Sequence, residues 1–182
     1  TLQCQNTGIS YVHDEIRVHV PAPNAILKTM KILHTSDWHL GRTFHRHSLH
    51  EWHQRFIDEL IDYATAEKID VLLISGDVYD SAHPSAETTE LLGKTLDRLA
   101  LAGIQVVLSA GNHDSARRLG YGAGTLARQG IYPVTTLKET FEPVELIRDD
   151  IRVRIYAIPY LNPRYYGRQL DVEPTHAAVL GE

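Results

Sequence analysis

The chain has 182 residues, 43% hydrophobic and 23% charged, which is enough apolar material for one core and too much for a disordered chain. No apolar run reaches the ~18 residues of a membrane span, and the N-terminus lacks the basic-then-apolar pattern of a secretory leader. A single cysteine, Cys4, excludes a disulfide framework and a cysteine-built zinc site, so a cytoplasmic protein is expected. The net charge of −5 is not the basic footprint of an autonomous nucleic-acid binder. Acidic residues gathered for metal binding would lower it without covering the surface. Arginine (13) far exceeds lysine (5), and there are 11 histidines.

Residues 1–29 read as an N-terminal extension outside the core, with two short alternating stretches, Ile9–His13 and Ile16–Val20, that suit either an edge hairpin or a loose extension. The only methionine, Met30, stands directly before a regular α/β pattern. Lys31–Ser36, Asp70–Ser75 and Ile104–Ser109 read as buried strands. Leu49–Glu67 and Ala86–Ala102 carry apolar residues at helical spacing. Strands alternating with helices of this length predict βαβ units and a mainly parallel sheet. Beyond Ser115 the pattern loosens. Residues 115–129 are helical but broken by Gly120, Gly122 and Gly124, Ile131–Val134 is a strand, and Val144–Ile147 with Arg152–Ile158 suits a hairpin around Asp149-Asp150. Pro159 to Tyr166 reads as an irregular loop, and residues 30–182 as the N-terminal part of a longer domain.

All three core strands end alike, in Ser36-Asp37-Trp38-His39, Gly76-Asp77-Val78-Tyr79-Asp80 and Gly111-Asn112-His113-Asp114. Ligands of open α/β sheets bind outside the carboxyl ends of the strands. A single Asp after a strand is usually a turn or cap residue. Three parallel strands delivering Asp37, His39, Asp77, Asn112 and His113 to one rim point instead to a metal site. Carboxylate, amide and imidazole ligands suit Mn²⁺, Fe²⁺, Zn²⁺ or Mg²⁺, and a carboxylate shared by two ions is the usual device of two-metal phosphoester hydrolysis.

Asp37-Trp38-His39, Gly76-Asp77 and Gly111-Asn112-His113-Asp114 resemble the first three motifs of the calcineurin-like metallophosphoesterases. Met30 to Gly41 with Ile74 to Asp80, and then Ala157-Ile-Pro-Tyr-Leu161, resemble the SbcD family, the nuclease subunit of the bacterial SbcCD exonuclease. The resemblance spans roughly residues 30–165. It implies the calcineurin-like metallophosphoesterase fold, an α/β fold with a layered sheet, present here as an incomplete N-terminal portion. It further implies two divalent ions, with Mn²⁺ foremost and Mg²⁺ or Fe²⁺ as alternatives. By motif position Asp37 and His39 hold the first ion, Asp77 bridges both, and Asn112 holds the second. His113 is the catalytic histidine beside the phosphate, and Asp114 orients it. The implied partners are DNA and an SMC-like ATPase of the SbcC type, in a heterotetramer built on a homodimer to which Leu49–Glu67 contributes. Arg42, Arg117 and Arg118 are candidate contacts to DNA phosphates or, equally, surface ion-pair residues.

The family completes its metal shell with downstream histidines in Gly-His and Gly-His-x-His segments. After His113 this chain has only His176, in a different context, so the 182-residue piece is expected to be weakly active or inactive alone. His50-Glu51-Trp52-His53 lacks the two-residue spacing of a zinc-protease helix, and His45, His47, His50 and His53 are assigned to surface. Gly120, Gly122 and Gly124 are not a dinucleotide fingerprint, and neither Ser36 nor Ser109 has the partners of a nucleophile. A metal-dependent DNA nuclease subunit, acting on duplex ends and on hairpin or single-stranded DNA, therefore stands first. A hydrolase of small phosphoesters such as cyclic nucleotides, or a fragment serving only as a dimer or partner surface, are the other readings.

Overall fold

Apolar residues at consecutive positions, as in VLLIS and QVVLS, suit strands covered on both faces. The computed structural model describes residues 9–12, 15–18 and 29–181. In chain order its first elements are β1 (Ile9–Val12), β2 (Glu15–Val18), β3 (Ile32–Thr35), β4 (Thr43–Phe44) and β5 (His47–Ser48). Then come α1 (His50–Ala66), β6 (Val71–Ser75), α2 (Ala86–Leu101), β7 (Gln105–Ser109), α3 (Ala116–Leu119) and α4 (Ala123–Leu126). The last are β8 (Ile131–Val134), α5 (Leu137–Thr140), β9 (Val144–Arg148), β10 (Ile151–Ile155), α6 (Pro163–Leu170) and α7 (His176–Leu180). Of the two readings of the N-terminal stretches, the hairpin is present as β1 paired with β2, while the rest of residues 1–28 lies outside the described residues.

Strands β3, β6, β7 and β8 form one parallel sheet in the order β3-β6-β7-β8, with Leu33, Leu72 and Val106 in register across it. The strand pleat sends alternate residues to opposite faces. Leu72, Ile74, Val106 and Leu108 meet Ile57, Ile61 and Ala64 of α1 and Leu92, Leu96 and Leu99 of α2 in the larger core. Val71, Val107 and Val134 face the other way, onto Leu146 of the β9–β10 hairpin. The result is helices, sheet and hairpin in layers, as the alternation of elements predicts.

Local chemistry sets the ends of the elements. Ser85 caps α2 by accepting a hydrogen bond from Thr88 N at 3.1 Å. The region read as a loop after Pro159 instead contains α6. Asn162 accepts from Arg164 N at 3.0 Å and Tyr165 N at 3.3 Å, with Pro163 in the first helical position. Asn followed by Pro is a helix start as well as a loop signal. Trp52 of α1, apolar though it is, lies off the buried face and is 64% exposed.

Candidate metal centre

Three loops leave the carboxyl ends of β3, β6 and β7 and are laced together by backbone bonds. Asp37 N donates to Gly76 O (3.2 Å), His39 N to Asp77 O (2.9 Å), Leu40 N to Val78 O (2.9 Å) and Asp80 N to Leu40 O (3.0 Å). The β3–β6 pairing thus continues past the strands and carries both loops to the rim. Asp37, His39 and Asp77 have φ of 57°, 46° and 45°, a left-handed conformation that non-glycine residues avoid and that clusters at functional sites. Gly111 lets the third loop close on the second, because a Cβ there would lie 2.1 Å from Asp77 N and Oδ1.

The side chains converge. Nε2 of His39 is 3.8 Å from Asp37 Oδ1 and 3.8 Å from Asp77 Oδ2. One ligand atom from each of the three falls within 4.8 Å of the others, and the same holds for His39, Asp80 and His113. Two carboxylates and an imidazole at this spacing, with Asp77 buried, fit a hard or borderline divalent cation, which would offset the mutual repulsion of the acids. Asp37, Asp77 and Asn112 line a cavity of about 270 Å³ together with Ile158 and Tyr160.

His113 sits on this rim, exposed, with its ring 4.9 Å from that of His39 in an edge-on contact. Its backbone N donates to Asp77 Oδ1 at 2.9 Å, and its Nδ1 is 2.9 Å from Asp80 O. A carbonyl only accepts, so Nδ1 carries the proton and Nε2 is the nitrogen left without it in the neutral ring. The hydrogen bond to Asp80 O raises the His113 pKa, with Asp77 and Asp80 adding to it against some desolvation.

The expected contact between Asp114 and His113 is therefore replaced. The Asp114 carboxylate accepts from Val78 N (3.0 Å), Tyr79 N (2.8 Å) and Gly111 N (2.8 Å), so it fastens the third loop to the second, and Asp80 O orients the histidine. Asp80 is the group that motif reading passed over. Its Oδ1 lies 3.1 Å from His39 Nδ1, outside hydrogen-bond geometry, and 4.0 Å from the Arg42 guanidinium. The available signal was its place three residues after Asp77, in the loop already chosen. His53, assigned to the surface, is half-buried with an unpartnered Nδ1, and burial lowers its pKa, as do His50 and His39 while Asp80 opposes them. His45 and His47 are exposed, as expected. Arg42 borders the site, and Arg117 and Arg118 are exposed on α3. His176 packs at 5.9 Å, ring to ring, on Tyr160 of the cavity wall and joins neither trio.

The calcineurin-like phosphoesterase family pattern matches residues 30–173, the sheet and every loop of the centre. The chain belongs to the calcineurin-like phosphoesterase family. Within this family it is 37% identical over 154 residues to SbcD of the SbcCD nuclease of Staphylococcus saprophyticus, covering 83% of this chain and 40% of that one. It is 36% identical over 143 residues to the SbcD protein of Rhodobacter capsulatus, 72% of this chain and 35% of the relative. With the SbcD protein of Staphylococcus epidermidis the identity is 33% over 132 residues, 72% and 34% of the two. The resemblance to the SbcD family read from the motifs is thus borne out. The chain spans 34–40% of the length of these relatives. No helix among the described residues is long and apolar enough to cross a membrane.

Proposed function

We propose that this chain carries the metal-holding part of a DNA nuclease that hydrolyses phosphodiester bonds as the partner of an SMC-like ATPase. One observation carries the reading: the Asp37–His39–Asp77 group, with ligand atoms within 4.8 Å, stands at the carboxyl rim of a parallel sheet. The relatives named as SbcCD nuclease subunits supply the substrate class. Asp37, His39 and Asp77 would hold one divalent ion, and Asp77 with Asn112 would hold a second. The proposed ions, Mn²⁺ before Mg²⁺ or Fe²⁺, supply charge neutralisation at the phosphate and a water of lowered pKa.

The chain's own residues do the rest. Asp80 O fixes the His113 tautomer and leaves Nε2 for the phosphate, where, when protonated, it gives a proton to the leaving oxygen. Asp114 keeps His113 on the rim by holding the loop that bears it. Arg42, Arg117 and Arg118 hold phosphates without reading sequence. Asp77 and Asn112 alone form a thin shell for the second ion, so the 182-residue chain by itself is weakly active. The reading includes a cytoplasmic enzyme of DNA repair, recombination and replication, acting as ATP-dependent exonuclease on duplex ends and endonuclease on hairpins and single strands. It also includes a homodimer within a heterotetramer. The exposed Trp52, Phe56 and Tyr63 of α1 suit such a dimer contact.

The test is Mn²⁺-dependent cleavage of a DNA hairpin by the full-length protein, with its His113→Ala variant and a chromogenic phosphodiester alongside. Hairpin cleavage that disappears with His113 is the expected result. Cleavage of the small diester alone would replace this reading with a hydrolase of small phosphoesters.

A further inference from the structure

The β4–β5 hairpin is absorbed by none of the roles above. Its stalk is fixed on the metal centre: Arg42 N donates to His39 O at 3.1 Å, and Leu49 N donates to Arg42 O at 3.1 Å. Thr43 pairs with Ser48 and Phe44 with His47, which leaves His45 and Arg46 as a two-residue turn. Both turn residues are left-handed, with φ of 47° and 67°. Turns of this kind favour Asn-Gly, which adopts such angles with little strain. The chain keeps an imidazole and a guanidinium at the tip against that preference, and strain retained in this way marks side chains that are needed.

Two further features say what the tip fits. Phe44 is 64% exposed, and its ring contact is with His45, at 4.3 Å between centroids. Residues 41–49 hold two arginines, two histidines and no acid, in a chain whose net charge is −5. Among the described residues Arg46 is paired with no carboxylate. An exposed aromatic beside unneutralised arginine is the pairing that holds single-stranded nucleic acid, with the base on the ring and the phosphate on the cation.

Resting on the nuclease reading, we propose that the β4–β5 hairpin is a stacking tip that engages terminal or unpaired bases of the DNA strand held at the metal centre. Phe44 is five residues from His39, so it lies at most ~18 Å away, roughly five base steps along one strand. Bases inside a continuous duplex are already stacked on both faces. Phe44 can therefore capture only a base at an end, in a hairpin loop or in a single strand, and the site is biased toward those substrates.

The experiment uses the full-length protein and a DNA hairpin with 2-aminopurine in its loop, with binding read by fluorescence in a His113→Ala background so that the DNA stays whole. Loop fluorescence should be quenched by the parent and by Phe44→Trp but not by Phe44→Ala. With His113 intact, Phe44→Ala should raise the hairpin KM about 10-fold. The ratio of kcat/KM on hairpin to kcat/KM on a chromogenic diester should fall by the same factor. The paired variant His45→Asn with Arg46→Gly should melt at a higher temperature while also raising the hairpin KM, a trade of function for stability. Quenching and ratio both unchanged in Phe44→Ala would overturn the stacking tip and leave the nuclease reading standing. A parent that cleaves the small diester but no DNA would remove the nuclease reading and the tip with it.

Discussion

The two ends of the parallel sheet are built from the same strands and differ in what their charged groups lack. At the amino end a cavity of about 490 Å³ is lined by Lys68, Asp70, Gln105 and Arg148 among others. Its one acid is matched: Asp70 accepts from Lys31 N at 2.7 Å and pairs with Arg148, and beside the cavity Lys31 Nζ donates to Glu67 O at 2.7 Å. At the carboxyl end the cavity is only about 270 Å³, but two acids of its wall, Asp37 and Asp77, each come within 3.8 Å of the His39 imidazole. Of the three buried side-chain atoms without a hydrogen-bond partner among the described residues, two, on His39 and His53, belong to this end, and the third is Thr140 Oγ1. Buried polar groups are normally satisfied. The larger hollow thus has its acid already paired, and the smaller one lies beside groups that lack a partner.

The largest effect that can sharpen this contrast is at His113. In the full-length protein His113→Ala should lower kcat about 10²–10⁴-fold, the usual worth of a positioned proton donor, with Mn²⁺ affinity by calorimetry nearly intact. A comparable loss of affinity would make His113 a ligand beside His39 and Asp80 rather than a donor. Gly111→Ala should come next. The added Cβ would lie 2.1 Å from Asp77 N and Oδ1, so the Asp77 carboxylate must move. The expected cost is about 1–3 kcal/mol of stability, together with a marked loss of Mn²⁺ binding. Unchanged calorimetry in that variant would remove Asp77 from the metal shell.

Why one end was readable in advance follows from how each part is encoded. The sheet and helices α1 and α2 carry their periodicity in consecutive residues, and the three rim loops begin where the apolar runs stop, so residue order alone places Asp37, Asp77 and Asn112 on one edge. What escaped depends on contacts between loops. The Asp114 carboxylate is taken by Val78 N, Tyr79 N and Gly111 N, two of them from a loop 35 residues or more away in the chain. The orienting partner of His113 is a backbone carbonyl, which no side-chain motif records. His53 differs from its exposed neighbours on α1 only in facing the first and second loops, and α6 was hidden because Asn-Pro serves turns and helix starts alike.

Asp114 tests that account at intermediate size. Asp114→Ala leaves three backbone N–H groups without their acceptor, at about 1–3 kcal/mol for each such group that water cannot reach. The melting temperature should fall by several degrees, since about 1 kcal/mol corresponds to roughly 2–4 °C in a chain of this size. Activity should fall through the displaced His113 loop, and the pH dependence of the remaining activity should keep its shape. A changed pH profile would instead favour direct contact between Asp114 and the His113 ring.

The smallest expected effect lies at the opposite end, and it is the one that can break the comparison. Asp70→Asn removes the charge that pairs with Arg148 but keeps an oxygen to accept from Lys31 N. Arg148 is nearly half exposed, so solvent screens the pair and its loss should cost no more than about 1 kcal/mol. The melting temperature should drop by roughly 2–4 °C at most, with kcat, KM and Mn²⁺ affinity of the full-length protein the same as those of the parent. β6 joins Asp70 at one end to Asp77 at the other, so a rigid strand could transmit a disturbance along its length. If Asp70→Asn altered Mn²⁺ affinity, the two ends would be coupled through β6, and the matched charges at the amino end would be part of the metal centre's support rather than its contrast.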